Sequence, residues 1–221
     1  MWSESKESRR GKRLPARRTV LAGLTGALLL PASAALARLP ATPSQSEGPF
    51  YPTDSVRPND TDADLVHLDG AAERAAGEIV HVDGRVLDRD GKPVPRALVE
   101  IWQANAEGVY NHPSDGNDPN FQGYGAVATD AEGRYGFRTI KPGAYGSIFF
   151  RRTPHIHFKI RPPGGRPLTT QMYFEGDALN GQDGILRSLD EAERKRVIVP
   201  FRPSPTREAN SRAGFFEIVL G

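Results

Sequence analysis

The chain has no cysteine in its 221 residues. That absence excludes a disulfide-stapled scaffold, a zinc finger, an iron–sulfur protein and a thiol enzyme. Any metal must be held by histidine, carboxylate, tyrosine or backbone oxygen. Long apolar runs are missing beyond residue 38, where nothing approaches the roughly 20 apolar residues that a bilayer span needs. A basic excess is missing too, once the N-terminus is set aside. Residues 1–37 hold seven of the 29 lysines and arginines and two of the 27 acids, which leaves 22 basic against 25 acidic residues in the remainder. No nucleic-acid footprint survives that division. Glycine and proline are abundant instead, at 23 and 19 residues, and they are scattered along the chain. Such punctuation disfavours a helix bundle and suits short strands joined by turns.

The local basic excess has a plain reading. Arg17-Arg18-Thr19-Val20-Leu21 opens an apolar run that lasts to Leu30, and Ala35-Leu36-Ala37 offers a cleavage site before Arg38. A basic start, a short apolar run and small residues predict a signal peptide over 1–37. The paired arginines resemble a twin-arginine export signal, which predicts a periplasmic or extracellular protein. An uncleaved anchor is the alternative, disfavoured by the short run and by Gly23 and Gly26. No stable membrane insertion is expected after cleavage.

Residues 38–78 are loop-rich and read as an ordered arm. From residue 79 onward the pattern is strands and turns. Ile79–Leu87 places Val80, Val82 and Val86 at even spacing, the period of a half-buried strand. Ala97–Gln103, Arg134–Ile140, His155–Ile160 and Phe215–Leu220 read as further strands, with turn chemistry at residues 88–93, 130–133 and 141–143. One helix is expected over Leu189–Arg196, with Ser188 and Glu191 as its capping box. The sum predicts an all-β antiparallel sandwich with long loops and one short helix.

The hexapeptide His155-Ile156-His157-Phe158-Lys159-Ile160 is the most informative. Side chains alternate on a strand, so Ile156, Phe158 and Ile160 face a core while His155 and His157 point together the other way. Two imidazoles so placed can ligate one metal ion; two partly exposed histidines on a solvated face are the plainer alternative. Tyr110 follows the strand at 97–103, and Tyr145 precedes His155 by ten residues. Each tyrosine taken singly suits a packing role. Arg152 lies three residues before His155. Beside a cationic metal it would need an anionic ligand or substrate to offset it.

Five ordered stretches carry a resemblance. They are Glu47–Pro52 (EGPFYP), Gly84–Tyr110 ending in WQANAEGVY, Thr139–Tyr145 (TIKPGAY), Arg152–Phe158 (RTPHIHF) and Thr170–Asp177 (TQMYFEGD). Together the chain resembles the intradiol ring-cleavage dioxygenases, the protocatechuate 3,4-dioxygenase type above all. The resemblance implies one non-haem Fe(III) per chain, bound by Tyr110, Tyr145, His155 and His157. It implies that Tyr145 also acts as a base, that Arg152 stabilises an anionic ring, and that Gln171 contacts the site. It implies that residues 79–221 form the catalytic domain, and that a protocatechuate-like catechol and O2 are converted to a cis,cis-muconate-type diacid. The chain departs from the family pattern after Tyr145, where Gly146-Ser147 replaces the common proline, and at Phe121–Gly125. It also lacks the long helical N-terminal segment of catechol 1,2-dioxygenases.

Two other readings compete. The stretches Gly84–Val99 and Gly133–Tyr145 also resemble prealbumin-like sandwich modules, so an exported binding module without catalysis is the alternative. An exported zinc or copper enzyme using His155, His157 and His112 is another. The identity of the catechol and the presence of a homo-oligomer stay open.

Overall fold

A computed structural model of the chain describes residues 1–2, 38–53, 57–111, 118–147 and 150–221. The expected signal segment, apart from Met1 and Trp2, lies outside the described residues, as does His112.

Two open sheets carry the fold. The first contains β1 (Ile79–Leu87), β4 (Arg134–Ile140), β10 (Arg202–Pro203) and β11 (Arg212–Val219), in the order β10-β11-β1-β4. The second contains β2 (Leu98–Trp102), β3 (Tyr124–Ala128), β7 (His155–Arg161), β8 (Leu168–Phe174) and β9 (Ile198–Val199), in the order β3-β2-β7-β8-β9. A short hairpin stands apart, β5 (Tyr145–Ser147) with β6 (Phe150–Arg152). One apolar cluster draws on both sheets. Val80, Val82, Phe137, Phe216 and Ile218 come from the first, and Val99, Ile101, Ile156, Phe158, Ile160 and Met172 from the second. Strand alternation decides this. In β7, Ile156, Phe158 and Ile160 are fully buried in that cluster, which turns His155 and His157 to the opposite face.

The expected strands at 79–87 and 134–140 coincide with β1 and β4, and those at 97–103, 155–160 and 215–220 differ from β2, β7 and β11 only at their ends. Two expectations are corrected. The sheets are mixed rather than antiparallel, because β1 pairs with β11 and β8 with β9 in parallel. There are also two helices among the described residues, α1 (Gly184–Arg187) and α2 (Glu191–Val197). The helices and the parallel β8–β9 pair go together. A parallel neighbour needs a long crossover, and residues 175–197, which contain both helices, provide it between β8 and β9. The capping box also shifts. Ser188 is occupied at the end of α1, where its hydroxyl donates to the Ile185 carbonyl at 2.7 Å. Asp190 caps α2 instead: its carboxylate accepts from the Glu193 N–H at 2.7 Å, and the Glu193 carboxylate accepts from the Asp190 N–H at 2.9 Å.

The stretch before β1 is stitched to both sheets. Thr42 N–H donates to the Val219 carbonyl at 2.9 Å, Gln45 N–H to that of Thr169 at 2.9 Å, and Leu65 N–H to that of Arg138 at 2.8 Å. Leu65 and Val66 are fully buried in the main cluster, so this stretch supplies part of the core. Among the described residues, no helix is long and apolar enough to cross a membrane.

The capping geometry makes a prediction. Asp190→Ala should lower unfolding free energy by about 1 kcal/mol. Ser188→Ala should change it by no more than about 0.5 kcal/mol. Urea denaturation of both variants measures the difference, and a larger loss at Ser188 would restore the original capping assignment.

Candidate active site

Two loops and one strand converge. After β2 the chain turns sharply at Asn105–Tyr110: the Asn105 side chain accepts from Glu107 N–H and Val109 N–H, both at 3.0 Å, and its carbonyl accepts from Gly108 N–H and Gly143 N–H. Asn105 therefore ties the loop bearing Tyr110 to the loop bearing Tyr145. Gly108 has φ +85°, and a Cβ there would lie 2.5 Å from the Ala144 carbonyl oxygen, so only glycine lets the loops approach so closely. The hairpin then sets Tyr145 directly opposite Arg152. Three residues beyond Arg152, β7 begins with His155.

Four of the residues singled out in the sequence meet here. His157 Nε2 lies 3.1 Å from Tyr110 Oη and 3.2 Å from His155 Nε2, and His155 Nε2 lies 3.4 Å from Tyr110 Oη. The Tyr145 ring meets the Tyr110 ring edge-on with centroids 5.4 Å apart. The alternative of solvated histidines fails, since His155 and His157 are 2% and 1% exposed. Arg152 and Gln171 complete the group. Arg152 Nη2 donates to Gln171 Oε1 at 2.5 Å and Nη1 to Tyr145 Oη at 3.4 Å.

The protonation pattern follows from burial. His155 Nδ1 lies 2.6 Å from the Thr153 carbonyl oxygen. A carbonyl only accepts, so Nδ1 carries the hydrogen and Nε2 keeps a lone pair. Burial lowers the pKa of His155 to about 4, reinforced by the Arg152 charge. His157 falls well below its ordinary value, first through burial and then through His155 and Arg152. Both rings are thus neutral at physiological pH. Burial and the adjacent Tyr145 push the Tyr110 phenol well above its usual value. The polypeptide alone therefore favours a neutral phenol, and only a bound cation would invert that preference.

This donor set fits a hard metal ion. Three atoms able to ligate a metal lie within 3.4 Å of one another, with a second phenol ring beside them. His157 Nδ1 is buried without a hydrogen-bond partner, so that ring is not committed elsewhere by a strong bond. Among the described residues no three His, Cys, Asp or Glu side chains form a metal-binding group, so oxygen ligands at this site would be tyrosine's. Phenolic oxygen with imidazole nitrogen suits Fe(III), a hard ion whose charge two phenolates would largely offset.

Several contributors were not assigned a role from the sequence. Trp102 stacks on His157 at 4.7 Å and 11°, and Phe50 stacks on Tyr110 at 4.3 Å and 13°. Both lay inside the matched stretches, and their stacking was the unread part. Tyr173 donates to Gln171 Oε1 at 3.0 Å, and Gln45 Nε2 donates to Tyr173 Oη at 2.9 Å. Asp183, fully buried, accepts from Arg152 Nε at 2.8 Å; no sequence signal distinguishes it from other loop aspartates. Glu100, on the same sheet face, anchors the segment carrying Phe50 by accepting from the Tyr51 hydroxyl at 2.8 Å. Burial opposes its charge, but hydrogen bonds from Arg161, Tyr51 and Tyr124 outweigh burial and hold its pKa below the ordinary value.

Known proteins share this arrangement's scaffold. A family model described as "Dioxygenase" matches residues 46–221. The beta chain of protocatechuate 3,4-dioxygenase from Burkholderia cepacia is 44% identical over 180 residues, covering 78% of this chain and 76% of that one. Catechol 1,2-dioxygenase 2 from Acinetobacter lwoffii is 33% identical over 177 residues, covering 71% of this chain and 62% of that one. The chain thus spans three-quarters of the first relative but less than two thirds of the second. Among solved structures, the dioxygenase domain of a dioxygenase carbohydrate-binding protein fusion from Streptomyces sp. SirexAA-E superposes with TM-score 0.61 at 31% identity, covering 82% of this chain and 98% of that one. Catechol 1,2-dioxygenase from Acinetobacter sp. ADP1 gives TM-score 0.63 at 27% identity, covering 81% and 62%.

The histidine environment sets a pH dependence. Each ring has a lower pKa folded than its unfolded value of about 6.5, so the unfolded chain binds more protons as pH falls below that value. Stability of chelator-treated protein should therefore drop between pH 6.5 and about 4, by up to about 1.4 kcal/mol per pH unit for each histidine. His155→Gln should flatten that slope in denaturation measured across the same range. An unchanged slope would mean that the ring is not held neutral.

Proposed function

The chain belongs to the intradiol dioxygenase family, and from that premise we propose that it is a non-haem Fe(III) enzyme cleaving a protocatechuate-like catechol. Both atoms of O2 enter the product, a cis,cis-muconate-type diacid. The observation that carries this reading is the meeting of Tyr110 Oη, His155 Nε2 and His157 Nε2 within 3.4 Å of one another, with Tyr145 alongside. Tyr110, Tyr145, His155 and His157 would hold the metal, one per chain. When bound, Fe(III) supplies a Lewis acid that withdraws electron density from the substrate ring and makes it reactive toward O2.

The polypeptide's own contributions are distinct. The Thr153 carbonyl fixes the His155 tautomer, so Nε2 presents its lone pair. With its oxygen ionised by the metal it would help to hold, Tyr145 would be placed to take a phenolic proton from the incoming catechol and leave as the neutral phenol. Arg152 directs N–H donors to the substrate's negative charge, and Gln171 fixes the guanidinium at Nη2. Phe50 and Trp102 exclude water from the tyrosine and histidine that they cover. The 44% match to a protocatechuate enzyme, against 33% for a catechol enzyme, supports a substituted catechol. The basic, apolar segment at residues 1–37 supports export through a twin-arginine signal to the periplasm or beyond.

Purified protein should contain iron and be wine-red. Tyr145→Phe should weaken or shift the visible band and lower kcat by about 100-fold or more. Oxygen consumption with a panel of catechols should be accompanied by the ultraviolet absorbance of a muconate. A yellow semialdehyde, or colourless protein without iron, would overturn the assignment. For export, R17K/R18K should retain the protein in the cytoplasm on fractionation, and unchanged export would exclude the twin-arginine route.

A further inference from the structure

Arg152 is a buried cation, 3% exposed, beside a site proposed to hold another. Its three nitrogens have separate partners. Nε donates to Asp183 Oδ2 at 2.8 Å, Nη2 to Gln171 Oε1 at 2.5 Å, and Nη1 to Tyr145 Oη at 3.4 Å. The first two bonds are short and the third is long, so Nη1 is the least committed corner and points toward Tyr145. A planar guanidinium held at two corners has little freedom at the third.

Asp183 is built for this holding role. It is fully buried, and both its oxygens are saturated. Oδ1 accepts from Ile185 N–H at 2.9 Å and Leu186 N–H at 3.0 Å. Oδ2 accepts from Arg152 Nε at 2.8 Å and Thr153 N–H at 3.1 Å. A carboxylate with four donors cannot swing, and it fixes Arg152 and the next peptide as one unit. Its charge also matters. An unpaired arginine would oppose a metal ion nearby, whereas the Arg152–Asp183 pair is neutral overall and still presents an N–H donor.

We propose that Asp183 is the positioning residue for Arg152: it cancels the guanidinium's net charge and aims Nη1 at the substrate's developing anion. This rests on the ring-cleavage reading above. Asp183 itself touches neither metal donor nor substrate and acts only through Arg152.

A double-mutant cycle on the full-length, iron-loaded protein tests it, using D183N, R152Q and D183N/R152Q. Three quantities are measured: kcat and KM with the best catechol, iron content, and Tm together with the dissociation constant for that catechol titrated anaerobically. D183N should lower kcat about 10- to 100-fold with iron content retained. Added to R152Q, it should change kcat and the catechol dissociation constant less than about threefold, and it should raise Tm, because the double variant buries no unpaired charge. If D183N alone does not fold, the comparison of R152Q with D183N/R152Q still decides. Additive losses on the R152Q background, or a further fall in Tm there, would make Asp183 a helix cap only and overturn the proposal. An active wild type with an unaffected D183N overturns this proposal alone. A wild type that cleaves no catechol overturns the ring-cleavage reading and this inference with it.

Discussion

Two imidazole nitrogens held 3.2 Å apart where almost no solvent reaches set the terms for the surrounding structure. Neither ring can carry a second proton cheaply there, because burial penalises charge and the Arg152 guanidinium opposes it. The lone pair on His155 Nε2 can be met by a hydrogen from His157 or Tyr110, or by a bound cation. Each nearby feature answers that constraint. The Thr153 carbonyl orients one ring, Trp102 stacks flat on the other, and two phenols supply oxygen. The site is thus a set of neutral nitrogen and oxygen donors enclosed in a rigid shell, and a cation there would draw its compensation from the phenols.

The cations that the polypeptide does place nearby are each compensated. Burial works against the Arg152 charge, but Asp183, with Tyr145 and Tyr173 beside it, more than offsets burial and favours the ionised guanidinium. Arg161 pairs with buried Glu100 at 2.7 Å, and Lys159 pairs with Glu47 at 2.5 Å. The second and third pairs also fasten the segment that carries Phe50 over the sheet, helped by Tyr51 bonding to Glu100 and lying beneath the Lys159 ammonium at 4.2 Å. One sheet face therefore does two jobs. Its His155 end collects ligating groups, and its Arg161 end anchors the cover.

Much of this could be read in advance, for a physical reason. Strand alternation is a local property, so His155-Ile156-His157-Phe158 announced both its core face and its polar face. Ile79–Leu87 and Arg134–Ile140 were legible in the same way. Tyr110, Tyr145, Arg152 and Gln171 were singled out because they sit within dense ordered motifs, and the fold brings them together. The helix near residue 190 was legible as a helix but not in its cap, since Ser188 and Asp190 both stand three residues before a glutamate. Strands at 124–128 and 168–174 were missed as strands.

The amino-acid order by itself determined the composition limits, the strand periods, the pairing of two histidines on one face and the family motifs, because all of these depend on neighbours within a few residues or on recognisable runs. Tertiary structure alone decided the parallel pairing of β1 with β11, the Asn105 link between the two tyrosine loops, the stacking of Phe50 on Tyr110 and the burial of Asp183 against Arg152. Most of those contacts join residues that are 30 or more positions apart. No local propensity encodes such contacts; they follow from how two sheets and their crossovers close around a shared core.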